Sequence, residues 1–68
     1  MNYCLLVANS DFSMATVYGP FHDREEAGAV VPNLAEELSS GLGKLVKVAD
    51  HQWHRDGLDY IVKDLNLP

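Results

Sequence analysis

The residues best equipped for chemistry lie between Asp50 and Tyr60. They are His51 and His54, with Asp50, Asp56 and Asp59 around them and Trp53, Arg55 and Tyr60 interleaved. Two imidazoles among three carboxylates suggest zinc, which takes three or four ligands converging at about 2 Å. The spacing argues against it. Positions i and i+3 share a face on a helix but point to opposite faces of a strand, and this stretch reads as strand. Asp50, His54 and a distant serine could be drawn as a nucleophilic triad. Ser10, Ser13, Ser39 and Ser40 all have turn or cap contexts, however, and none occupies a nucleophile elbow. The acid pairs Glu25/Glu26 and Glu36/Glu37 are adjacent along one segment, not opposed across a cleft. The glycines are scattered and make no phosphate loop. We therefore expect no catalytic residue, no metal and no cofactor. What the cluster can supply is contact: Trp, Tyr and Arg dominate binding hot spots. His51, Trp53, Arg55 and Tyr60 are the expected partner-binding residues, with core packing the competing role for Trp53.

The elements that must carry these residues have little chain to work with. Sixty-eight residues make a single domain, 1–68, and 47% apolar content is enough to fold it. Domains this small bury only about 60% of their unfolded surface and usually gain extra burial from disulfides, metal or oligomerisation. One cysteine, Cys4, excludes an intrachain disulfide. Within YCLLVA it reads as a buried small hydrophobe. Self-association, as a homodimer, is the remaining source. The net charge of −5, from ten acids against five bases, argues against direct nucleic-acid binding, which needs phosphate neutralisation. An acidic surface suits solubility or a basic protein partner. MNYCLLVAN lacks a basic leader, and its apolar run is too short for a signal peptide or a membrane span. We expect a cytoplasmic protein.

Tyr3 to Ala8 is a continuous apolar run, as in a strand central to a sheet. Asn9-Ser10-Asp11 is turn chemistry, and Ser13 to Tyr18 alternates, with Met14, Thr16 and Tyr18 opposite Ala15 and Val17. Together they predict a hairpin. Gly19-Pro20 should end its second strand, with Phe21 as an apolar plug. Asp23 is an N-cap, Glu26 completes a box-like pattern, and Glu25 and Glu26 suit the positive end of the helix dipole. The helix should run to about Ser40 with Ala27, Val31, Leu34 and Leu38 on its apolar stripe, stopped by Gly41. Pro32 predicts either a kink or two short helices with Pro32 opening the second. Leu45 to about His54 reads as a third strand. Asp56-Gly57 signals a second hairpin, pairing Trp53 with Tyr60, His51 with Val62, His54 with Asp59 and Asp50 with Lys63. The alternative is a short helix capped by Asp56, with Leu58, Ile61, Val62 and Leu65 as its stripe.

At VYGPFHDREEA the chain resembles two groups of proteins. The first comprises short orphan α+β proteins of actinobacterial phages and their hosts, in which a hairpin leads through a G-P-F turn, here Gly19 to Phe21, into a helix with an acidic start. The second is half of a SPOR peptidoglycan-binding domain, with a similar G-x-F turn. The expected fold is a two-layer α+β sandwich of ββαββ order, an antiparallel sheet with one Pro-kinked helix on one face. The expected function is non-enzymatic: a phage-encoded protein that binds and modulates a host protein, with anti-defence action as its sharper form. A structural homodimer and a SPOR-like glycan binder are the alternatives.

Overall fold

The computed structural model describes residues 2–38, 41 and 43–65. The apolar run forms β1 (Tyr3–Asn9), and the alternating segment forms β2 (Ala15–Phe21), antiparallel to it. Asn9 organises the tip between them: its Oδ1 accepts from the Met14 N–H at 3.0 Å and its Nδ2 donates to Ser13 Oγ at 2.7 Å. This is the local side-chain bonding that makes asparagine a turn residue. Gly19-Pro20 does not end β2. The register runs from Leu5↔Tyr18 to Tyr3↔Phe21, so the two residues form a bulge within the strand. A bulge leaves its extra residue outside the ladder, which tolerates a proline without an N–H.

Asp23, in extended conformation, caps the helix as its sequence predicts, accepting from the Glu26 N–H at 2.7 Å. Glu26 reaches back to the His22 N–H at 3.2 Å, one residue before the cap. Replacing Asp23 with alanine should cost about 1 kcal/mol, read as a lower urea midpoint with an unchanged m-value. The helix is bent and has two segments, α1 (Arg24–Ala29) and α2 (Val31–Leu38). Pro32 is the second residue of α2. There its missing N–H would have had no partner within a helix starting at Val31, so the helix bends just before Pro32, and Val31, not Pro32, opens the second segment. The predicted end at Ser40 lies outside the described residues.

The predicted third strand is two strands. His51 takes a positive φ of 57°, and the chain reverses at Asp50-His51 between β3 (Val46–Ala49) and β4 (Gln52–Arg55). Asp and His enter the left-handed region more easily than most residues, so this turn needs no glycine to mark it. The expected Asp50–Lys63 pair is lost with the turn. At Asp56-Gly57 the sequence reading of a hairpin holds: both residues have positive φ, 49° and 81°, as a two-residue turn of the favoured hand requires. The turn joins β4 to β5 (Leu58–Asp64), with Trp53↔Tyr60 and His54↔Asp59 in register. The Val62 N–H donates to the His51 carbonyl at 3.0 Å.

The sheet is antiparallel throughout, in the order β2-β1-β5-β4-β3. The fold is therefore α+β in ββαβββ order, with one strand more than expected. The bent helix covers the face carrying Leu5, Val7, Leu58 and Tyr60, which form the core with Val31 and Ala35. On the opposite face, by alternation, stand Cys4, Leu6, Ala8, Val17, Asp59, Ile61 and Lys63. Among the described residues no second layer lies over them. No helix there is long and apolar enough to cross a membrane.

Candidate functional site

The four residues expected to meet a partner are not one exposed patch. Tyr60 has no exposed surface. Trp53 lies beside it, partly buried against the core. A Cβ on Gly28 would stand only 3.0 Å from Trp53 Cη2, so the indole lies against the helix backbone where any larger residue would push it away. Lys47 Nζ sits 5.8 Å from the centre of the indole, a cation–π distance. Arg55 is turned toward the loop after the helix, donating from Nε to the Gly43 carbonyl at 2.9 Å and from Nη2 to the Gly41 carbonyl at 3.3 Å. The Asp56 carboxylate packs on the same backbone: a Cβ added at Gly43 would collide with Asp56 Oδ1. Arg55 and Asp56 thus fasten the β4–β5 turn to the backbone at Gly41 and Gly43. His51, half-buried, serves the β3–β4 turn at the far end of β4.

The Tyr60 hydroxyl is buried and has no hydrogen-bond partner among the described residues. Burial pushes this phenol above its ordinary pKa. The Arg55 guanidinium opposes the shift, while Tyr18 and Asp56 add to it. His54 Nδ1 and Asp59 Oδ1 are 2.8 Å apart on the open face of the sheet. Among the described residues no three His, Cys, Asp or Glu side chains are grouped to hold a metal ion. Cys4 is buried, as its apolar setting predicts.

What the sequence did not point to is a groove. The bulge sends Tyr18 and Phe21 to the helix side, three residues apart instead of two, with Gly19 and Pro20 between them. Neither supplies a large side chain to fill the gap. Val30, at the bend of the helix, and Leu34, on α2, form the opposite wall. The resulting groove of about 300 Å³ is almost wholly apolar and lies along β2, an edge strand. Its volume is at the small end of ligand sites. The only sequence signal for it is the one that also specifies the bulge, Gly19-Pro20 between two aromatic residues.

The groove lining is apolar apart from the Tyr18 hydroxyl and carries no charged side chain, so it is suited to apolar contact. The sequence matches no protein-family model, and comparison with curated proteins and with solved structures found no match.

Proposed function

We propose that this is a non-enzymatic interaction protein, phage-encoded and cytoplasmic, that binds and modulates a host protein. Its target is an extended segment that carries a bulky apolar side chain flanked by basic residues. The observation that supports this reading is the apolar groove of Tyr18, Pro20, Phe21, Val30 and Leu34 beside the outer edge of β2. An edge strand offers unpaired backbone groups to an added strand, and a pocket beside it selects one side chain of the newcomer. The net charge of −5 favours a basic segment.

The test is selection from a random peptide library followed by mapping on the ¹⁵N-labelled protein. The expected result is a consensus of one aromatic or large aliphatic residue among Lys and Arg. It should move the amide signals of residues 16–21, Val30 and Leu34, with Leu34→Gln weakening binding about tenfold or more through the lost apolar contact. Selected peptides that shift only residues away from this groove, or a library yielding no binder at millimolar concentration, would overturn the reading.

A further inference from the structure

We infer that the open face of the sheet is a dimer interface, and that the second copy packs on it about a two-fold axis running along the row Val17–Leu6–Ile61. The register sets this row across three neighbouring strands: Leu6 pairs with Val17 on one side and with Ile61 on the other. All three side chains stand on the face that the helix leaves uncovered, and Val17 is 62% exposed.

The distribution of residues about that row points to a copy of the same chain. A two-fold axis in the plane of the interface and across the strands reverses each strand over its own copy, so a residue two places before the row meets one two places after it. On β5 the residues two places either side of Ile61 are Asp59 and Lys63. The axis therefore brings each Lys63 over the partner's Asp59, and does so twice, as an isologous interface requires. On β1 the same operation sets Cys4 over the partner's Ala8, two small residues that are already buried by their neighbours and leave room for Leu6. Aligned sheets pack at about −30°, which displaces groups one residue pair from the axis by only about 3 Å, within reach of a lysine stem.

The area is that of a small interface. β1, β2 and β5 have seven residues each, and β3 and β4 have four. At about 3.3 Å per residue and about 4.8 Å between strands, the face covers roughly 450 Å² in projection. That is below the roughly 600–1,000 Å² per partner of standard specific dimers and suits an association that forms at high concentration. Tyr18, Phe21, Val30 and Leu34 lie on the other side of the sheet, so this inference stands or falls independently of the groove.

Sedimentation equilibrium and light scattering across micromolar to millimolar concentrations test it. The expected mass is about twice the 7.5 kDa of one chain. Val17→Glu sets like charges together on the axis at an exposed position and should give a monomer with an unchanged circular dichroism spectrum. Lys63→Asp should weaken self-association roughly tenfold or more, since two attractive pairs become repulsive. The swap Asp59→Lys with Lys63→Asp should restore it. A wild-type monomer at every concentration overturns the inference, as does a dimer that survives both single substitutions. A dimer lost with Val17→Glu but indifferent to the charge changes overturns the two-fold arrangement.

Discussion

Tyr60→Ala is expected to unfold the domain, whereas Tyr60→Phe holds or raises its stability. Tyr60 is the largest side chain without exposed surface. Removing a buried aromatic ring costs about 3–5 kcal/mol, comparable with the whole stability of a domain this small. The hydroxyl works the other way. It is buried without a partner, and deleting an unpaired buried polar group at constant shape gains about 1 kcal/mol. Chemical denaturation followed by circular dichroism checks both outcomes. The same hydroxyl sets a dependence on alkaline pH. Burial, the leading cause, raises the phenol's pKa in the folded chain above the unfolded value. Its contribution to stability is therefore complete below about pH 10 and is lost as pH rises through the folded value. Thermal melts between neutral pH and pH 11 should fall less steeply for Tyr60→Phe than for the unsubstituted protein. Equal slopes would mean that this phenol is not the group responsible.

The second large effect separates two adjacent leucines. Leu5 has no exposed surface and belongs to the core beneath the helix; Leu6 points to the other face and is half-buried. Leu5→Ala should cost about 2–5 kcal/mol. Leu6→Ala in the monomer should cost about 1 kcal/mol, in proportion to the smaller apolar area it withdraws from water. Urea titrations at low protein concentration measure the difference. Similar losses at both positions would contradict the assignment of the faces. At high concentration the Leu6→Ala penalty should grow, because association stabilises only the folded state.

Much of the framework was legible because short-range chemistry specifies it. Tyr3–Ala8 reads as a strand buried on both faces or central in a sheet, and β1 is an inner strand; Asp23 with Glu26 marked the helix start to the residue. Asp56-Gly57 located a hairpin whose pairings, Trp53 with Tyr60 and His54 with Asp59, followed by counting. The misreadings share one cause. Asp50-His51 turns through a left-handed histidine, a conformation that residue type permits but does not announce. Gly19-Pro20 is ordinary punctuation in sequence, and only the ladder on both sides shows it as a bulge. Tyr60 alternates correctly for either face, so its burial depended on where the helix lay. The groove and the open face were least legible. Both depend on which strands become neighbours, and that is decided by contacts between residues far apart in the chain.

The placement of β5 has a consequence for how the molecule comes into being. This strand is the last of the described strands in chain order, yet it sits at the centre of the sheet, where Leu5 pairs with Val62. A nascent chain that has not yet released it holds a hairpin and a helix with nothing to join them to the other two strands. Such long-range pairing is slow to form, and until it does, Leu5 and Val7 remain open to water or to a chaperone. Folding on the ribosome is therefore deferred until synthesis of β5 is done, and a chain interrupted before Leu58 is a substrate for proteolysis and not a smaller version of the fold.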